Sequence, residues 1–277
     1  MSFHSNCNVF KDMTGHVPTR KMISRAQLEI YVCYSAPVFD SRRLLRVLPL
    51  RRENQTVRRE RFQTFPQTDF TLEKADENNN RRLLLRHKRL GSEFRFALEV
   101  EIETNAAPIA EDKPDFARWK MPSRAVVFGP TLQILAKESR KLAPLSRATY
   151  FCELCFQSLE YNSQTNDKPR AAIAVWDSKI GNCADFAHVF LVLCRAAGLP
   201  ARYVAGFGHA PGQLHAWAEV WCDGFWHPFD PTLGRAASLG NIAVALGRDF
   251  YDCSPHSGTF RGVAEAHLEL HCETRCL

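Results

Sequence analysis

A thiol, an imidazole and a carboxylate follow one another in this chain as Cys183, His215 and Asp230. They lie in the short motifs GNCADFAH, HAWAEVW and FDPT. Residues of these types can supply the nucleophile, the proton carrier and the orienting group of an acyl-transfer centre. Whether the three can meet depends on the helix and the strands that carry them.

A helix is predicted to begin at the cysteine. Asn182 is a favourable N-cap, and Asp185 at the third helical position makes a weak form of capping box. Gly198 and Pro200 mark the end of the helix. Cys183 thus takes the first helical position, where unpaired N–H groups and the helix dipole stabilise a thiolate. The alternative is a small apolar residue that starts a buried helix. One face of the helix is apolar, at Phe186, Ala187, Phe190, Leu193, Cys194 and Ala197.

Three strands are predicted after this helix, in ARYVAGF, LHAWAEVWC and FWHPFD. The Asp-Gly pair at 223–224, between the last two strands, is a strong signal for a two-residue hairpin. If that turn is tight, Cys222 pairs with Phe225, and Trp217 comes opposite Asp230.

This register brings two of the three reactive residues together. Because side chains alternate along a strand, His215 and Trp217 share one face. Asp230 falls on the same face, diagonal to His215 and roughly 7–8 Å away between backbones. His227 points to the opposite face and is the poorer candidate base. The geometry therefore selects His215 from ten histidines.

The stretch from Trp176 to Gly234 resembles the core of the transglutaminase-like superfamily, the papain-type cysteine fold of transglutaminases and many bacterial proteins. The resemblance rests on GNCADFAH, RAAGLPARYVAGF, HAWAEV and FDPT, in the order and spacing of the family. A weaker resemblance extends outward. Residues 22–104 look like the β-rich N-terminal domain of bacterial members, and GRDFYDCSPHSGTFRG resembles the segment that closes their catalytic domain.

The resemblance implies a role for each residue of the trio. Cys183 is the implied nucleophile, His215 the general base and then acid, and Asp230 the residue that orients the imidazole. Asn182 is a departure, since bacterial members more often have a small apolar residue there, and its polar side chain could alter the substrate pocket.

The oxyanion of the reaction needs hydrogen-bond donors, and the backbone N–H of Cys183 is the natural first one. Asn182 and Trp176 are candidates for the second donor, and the choice between them stays open. Trp217 is a further pocket candidate, because the tryptophans of this region either pack in the core or wall a cleft.

The expected fold class is α+β, with a β-rich, sandwich-like domain followed by a papain/transglutaminase-like core whose nucleophile helix packs on an antiparallel sheet. Proline and charge interrupt all periodicity in NAAPIAEDKPDFARWKMP and mark the boundary. The predicted divisions are a loosely ordered extension at 1–20, the β-rich domain at 21–107, the catalytic core at 115–264 and a C-terminal tail at 265–277.

The formal net charge of +6 comes from the N-terminal part of the chain. Residues 1–105 hold 19 lysines and arginines against 13 acidic residues, and the remainder holds 17 of each. These arginines alternate with apolar residues, as on the wet face of a half-buried sheet, so no nucleic-acid partner is expected. No membrane partner is expected either, and the absence of an apolar leader favours the bacterial cytoplasm.

The ten cysteines have no regular spacing, and most are expected to be reduced. Cys152 and Cys155 could join Cys272 and Cys276 in a zinc site, but two core cysteines on an apolar helix fit the first pair better. No metal and no cofactor are therefore expected.

The function expected from these patterns is two-step acyl transfer on a peptide or protein amide through a thioester. Water as acceptor gives a protease or amidase, which is slightly favoured, and a primary amine gives transamidation. Two alternatives stay open: a catalytically silent scaffold with this fold, and a basic N-terminal module that binds acidic partners.

Overall fold

A computed structural model describes residues 20–111, 115–164, 169–208 and 212–277. The predicted extension at 1–20 lies outside these ranges, except for its last residue. The first part of the chain is all strand: β1 (Lys21–Tyr34), β2 (Val38–Leu45), β3 (Gln55–Phe65), β4 (Phe70–Glu73), β5 (Arg82–Leu90) and β6 (Glu93–Asn105).

The rest of the chain contains both helices and strands, with short 3₁₀ turns at Arg118–Lys120 and Ser139–Lys141. The elements are α1 (Pro130–Glu138), α2 (Pro144–Ser158), β7 (Glu160–Tyr161), α3 (Ala172–Ser178), β8 (Ile180–Gly181), α4 (Cys183–Ala196), β9 (Ala201–Phe207), β10 (His215–Cys222), β11 (Phe225–Asp230), β12 (Arg235–Ala236), β13 (Ile242–Gly247), α5 (Phe250–Cys253), β14 (His256–Arg261) and β15 (Ala266–Cys276).

Two antiparallel four-stranded sheets, with orders β15-β1-β6-β3 and β14-β2-β5-β4, form a sandwich. The rings of His87 on β5 and Phe94 on β6 meet edge to face at 5.5 Å and join the two sheets. In β1 and β6 every second side chain is buried, as in a half-buried sheet: Leu28, Ile30, Val32, Tyr34, Phe94, Phe96, Leu98, Val100 and Ile102.

The C-terminal segment corrects one predicted division. Residues 265–277 are not a tail, because β15 pairs with β1 along eleven residues, with Cys272 opposite Leu28. β14, which fell within the predicted core at 115–264, pairs with β2 in the other sheet. The sequence signal was weak because β15 is an edge strand, and Cys272 is its one buried side chain. The other limits stay predictions.

The second sheet system, here called the core sheet, has the order β12-β11-β10-β9-β13 and is antiparallel throughout. α4 packs on one face of it. Phe190 of α4 lies 5.6 Å from Phe229 of β11, and His188 lies 5.4 Å from Tyr203 of β9, between ring centroids. α4 is buried from Ala184 to Arg195. The expected α+β architecture is therefore confirmed.

The other face of the core sheet meets the sandwich. Trp217 packs there in a cluster with Leu50, Val204, Ala243 and Leu246. Gly206 of β9 allows this approach, because a Cβ at that position would come within 2.6 Å of the indole of Trp217.

Polar side chains of the sandwich complete the edge of the core sheet. The amide of Gln55 bonds both the N–H and the carbonyl of Ala243, and Asn80 does the same for Leu246. Nearby, the fully buried Glu219 accepts from Arg52 and Arg202 at 2.8 Å each. Burial raises the pKa of Glu219, but the two arginines lower it further and keep it charged.

None of the helices in the described ranges is long and apolar enough to cross a membrane.

Candidate active site

Cys183 is the first residue of α4, and the cap beside it is complete. The side-chain oxygen of Asn182 accepts from the backbone N–H groups of Ala184 and Asp185 at 3.1 Å each, and the Asp185 carboxylate accepts from the Asn182 N–H. The capping box is thus stronger than the weak form predicted. Asp185 is buried and faces Arg170 at 3.4 Å, which balances its charge near the thiol.

His215 and Asp230 meet as the hairpin register predicted. The register pairs Cys222 with Phe225 and continues to the pair Ala218–Phe229, so Trp217 comes opposite Asp230. His215 Nε2 lies 2.7 Å from Asp230 Oδ2. The other oxygen of this buried carboxylate accepts from the Thr232 N–H at 3.1 Å. Nε2 therefore carries the hydrogen that Asp230 accepts, and Nδ1 is left for proton exchange.

The thiol lies next to the start of β10. Cys183 Sγ is 4.0 Å from the carbonyl oxygen of Leu214, the residue before His215. Burial lowers the pKa of His215, but hydrogen bonds with Asp230 and with the Cys183 side chain, together with their charges, raise it to about 10. The imidazole is therefore protonated at neutral pH and stands beside a partly exposed thiol.

The three pocket candidates have different surroundings. Asn182 flanks the thiol, with its side-chain oxygen held by the helix cap. Trp217 is fully buried and stacks on His215, with 6.2 Å between ring centroids, so it supports the imidazole from the side of the sandwich. Trp176 lies on α3 beneath the ammonium of Lys179, 3.4 Å from its ring centroid.

Tyr161 is a further candidate for the site that sequence reasoning missed. It lies on β7, which pairs with β8 so that Tyr161 is opposite Gly181, two residues before the thiol. Its pKa is raised by burial and by the charges of Cys183 and Asp230. No local motif marks Tyr161, because a two-residue parallel pairing across twenty residues brings it here.

Two other histidines of the core sheet region have structural partners. His188 on α4 is fully buried between the carbonyl of Arg170, at 3.1 Å, and the N–H of Phe250, at 3.2 Å. His227 Nε2 lies 3.1 Å from the carbonyl oxygen of Cys222.

The cysteines of the considered zinc site lie on different elements. Cys152 and Cys155 are buried on α2, whereas Cys272 and Cys276 lie on β15. Burial and the charge of Asp230 raise the pKa of Cys152 to about 12. Within the described ranges, no three His, Cys, Asp or Glu side chains converge on a possible metal position.

Known proteins share this region of the chain. The sequence model of the transglutaminase-like superfamily matches residues 133–231, from α1 to just beyond Asp230. An uncharacterised protein of Mycobacterium leprae is 35% identical over 103 residues, which are 34% of this chain and 37% of that protein. The kyphoscoliosis peptidase of Mus musculus is 33% identical over 90 residues, which are 27% of this chain and 14% of the peptidase. The aligned regions thus span only 37% and 14% of the lengths of these two curated relatives.

One solved structure matches almost the whole fold. A protein of Cytophaga hutchinsonii, described as a candidate cysteine protease, superposes with a TM-score of 0.78 over 93% of this chain and 91% of that one. The sequence identity is 24%, so this match establishes a common fold, including the sandwich, and nothing finer.

Proposed function

We propose that this chain, whose residues 133–231 match the transglutaminase-like superfamily, transfers acyl groups from peptide or protein amides through a thioester on Cys183. The observation that carries the proposal is the 2.7 Å hydrogen bond between His215 and Asp230, at the strand end that adjoins the thiol. It supports an imidazolium held beside Cys183 at neutral pH.

In the first step the Cys183 thiolate attacks the amide carbonyl carbon, and the carbonyl π electrons move to its oxygen. His215 gives its Nδ1 proton to the amide nitrogen as the C–N bond breaks, so the amine leaves neutral and a thioester remains. The backbone N–H of Cys183, at the start of α4, is the proposed donor to the oxyanion.

The second step needs His215 as a base, which a pKa of about 10 alone would disfavour. In the thioester the sulfur carries no charge and no longer hydrogen-bonds with the imidazole, so two of the contributions that raise the pKa of His215 are absent. The pKa of His215 therefore falls in the acyl-enzyme, and the ring can take a proton from the attacking water or amine. The nucleophile bonds to the acyl carbon, the C–S bond breaks, and Cys183 leaves as a thiolate beside the protonated ring. Asp230 stabilises the imidazolium that forms.

Hydrolysis is the outcome we favour over transamidation. The thiol is partly exposed, and Tyr161 beside it is 51% exposed, so water has access to the thioester. Amine transfer requires a site that excludes water while it binds the acceptor.

Intact-protein mass spectrometry tests the proposal with a panel of peptide amides, with and without a primary amine. We expect an adduct with the mass of the acyl group on Cys183, resolved mainly by water, and no adduct in Cys183→Ala. Brief treatment with iodoacetamide should also label Cys183 ahead of the exposed Cys276, which serves as an internal control. Equal labelling of the two thiols, together with no adduct, would favour the silent scaffold.

A further inference from the structure

The outer face of the sheet β14-β2-β5-β4 carries an open groove of about 940 Å³, here called the cationic groove. Arg42 of β2, Arg86 and Lys88 of β5, and Arg261 of β14 line it, and all four are exposed. None of the candidate active-site residues lines this groove, so it is separate from the surface that carries the thiol.

The central cations of the groove have no acidic partner. Arg42 and Arg86 lie directly opposite each other in the register of β2 and β5, where like charges repel. Within the described residues, the side chains of these two arginines and of Lys88 form no ion pair and no hydrogen bond. Arg261 differs, because it pairs with Asp40 at 3.4 Å. Three exposed positive charges are therefore available to an anion from outside the chain.

The outer face of the other sheet of the sandwich is built differently. There Arg25 and Arg59 are both opposite Glu101, and Arg61 is opposite Glu99. Arg25 lies 3.5 Å from Glu101. An arginine thus faces a glutamate in one sheet, whereas an arginine faces an arginine in the other. The repulsion in the second arrangement becomes an attraction when a carboxylate binds between the two guanidinium groups.

The spacing of the cations indicates an extended acidic segment. Arg86 and Lys88 are two residues apart on one strand, which is roughly 6.6 Å between backbones. Alternate residues of an extended peptide have the same separation, so two carboxylates in the pattern Glu-x-Glu can reach both cations at once. Arg42 is opposite Arg86 and can share the first of these carboxylates.

The other residues of the groove favour a polypeptide over a nucleic acid. Asp40 and Asp69 also line the groove, and a continuous phosphate backbone would bring its charges against both carboxylates. A peptide has uncharged residues between its acidic ones. Single-stranded nucleic acids also need exposed rings on which bases can stack. The rings of this lining are the buried His87 and the half-buried Phe260, which packs edge-on against Tyr34 at 5.4 Å.

We propose that the cationic groove is a docking site for an extended acidic segment of another protein, with carboxylates at alternate positions. The segment lies along β5, with one carboxylate between Arg42 and Arg86 and the next at Lys88.

Fluorescence anisotropy with a labelled peptide of alternating glutamate and serine tests the site in the Cys183→Ala variant, where no reaction at the thiol can interfere. We expect saturable binding at about 50 mM salt that is severalfold weaker at about 200 mM salt, because ions screen exposed charges. The same peptide with glutamine in place of glutamate should not bind. The proposal is overturned if the acidic peptide does not bind, or if the glutamine peptide or an oligothymidylate of equal charge binds as tightly.

Two double variants of equal charge locate the binding. Arg42→Gln combined with Arg86→Gln should weaken it about tenfold, which corresponds to about 1.4 kcal/mol. Arg25→Gln combined with Arg61→Gln removes the same charge from the outer face of the other sheet, and it should weaken binding by less than about twofold because distant charges are screened. Equal weakening by the two pairs would mean that net charge alone attracts the peptide, and the groove would be ruled out.

Arg86→Glu separates binding from folding. It places a carboxylate opposite Arg42, as on the other sheet, so the melting temperature should stay the same or rise while binding is lost. A folded Arg86→Glu variant that binds the peptide as the parent does would also refute the proposal. None of these results depends on the proposed enzymatic activity.

Discussion

Asp230→Asn should lower the free energy of unfolding in a way that depends on pH. The asparagine has nearly the same shape, and its oxygen can still accept from His215 Nε2, but it removes the carboxylate charge. His215 is partly buried, and its pKa is raised from 6.5 to about 10 by Asp230 and Cys183 against the opposing effect of burial. Without the carboxylate, that pKa falls.

The magnitude follows from the pKa. A rise from 6.5 to about 10 corresponds to roughly 5 kcal/mol of stabilisation. The pKa is higher in the folded state, so this stabilisation is complete below about pH 6.5 and is lost as the pH rises towards 10. Asp230 raises the pKa by its charge and by a hydrogen bond that the charge strengthens, and assigning half of the total to this carboxylate gives about 2–3 kcal/mol. Relative to the parent, the free energy of unfolding of Asp230→Asn should therefore be lowered by about 2–3 kcal/mol more at pH 6 than at pH 10.

Urea unfolding of the parent and the variant at both pH values, under reducing conditions, measures this difference. Asp177→Asn, at an exposed position on α3, is the control and should change little at either pH. NMR titration of the histidine rings should show His215 still protonated at pH 8 in the parent. An equal loss at pH 6 and pH 10, or a His215 that titrates near 6.5 in the parent, would refute the reasoning.

Two further predictions concern stability. Burial and the charge of Arg43 lower the pKa of His256 to about 4. The free energy of unfolding of the parent should therefore fall by about 3 kcal/mol between pH 6.5 and pH 4. In His256→Gln this acid-dependent fall, measured by urea unfolding, should be smaller by that amount. Gln55→Leu removes the bonds that the Gln55 amide makes with the Leu50 carbonyl and the Ala243 N–H, and it should lower the free energy of unfolding by about 3 kcal/mol. Gln63→Leu, at an exposed position on the same strand, should lower it by less than about 0.5 kcal/mol in the same assay.

Local chemistry explains why the geometry of His215 and Asp230 could be predicted. Asp223 and Gly224 both have positive φ, 52° and 88°, as a type I′ hairpin turn requires, and this turn fixes the register of β10 and β11. The N-cap likewise fixes where α4 begins. Both signals lie within a few residues of the feature that they determine.

Features set by distant pairing had no such signal. β15 reaches β1 across more than two hundred residues with a largely exposed edge strand, and Tyr161 is positioned by a two-residue pairing with β8. The face that α4 covers also depends on packing. The alternation along β10 grouped His215 with Trp217 but could not reveal that Trp217 faces the sandwich.

The pairing of β15 connects the end of the chain to the candidate site. The backbone N–H of Cys272 donates to the Gly212 carbonyl at 3.2 Å, and the Cys272 carbonyl accepts from the Gly212 N–H at 2.8 Å. Gly212 lies three residues before His215. In an antiparallel strand the N–H and C=O of one residue point to the same side, so these bonds face away from β1, as do the backbone groups of Leu270.

Cys272→Pro should therefore release the segment before His215 without breaking a bond to β1. Leu270→Pro is the control, because the N–H that it removes also faces away from β1 and has no partner in the described chain. We expect Cys272→Pro to slow the alkylation of Cys183 by iodoacetamide severalfold, because His215 is then less well held beside the thiol. Leu270→Pro should alkylate at the parent rate. If both proline variants react alike, β15 does not position His215, and the alignment of the thiol with the imidazole depends on α4 and the β10–β11 hairpin alone.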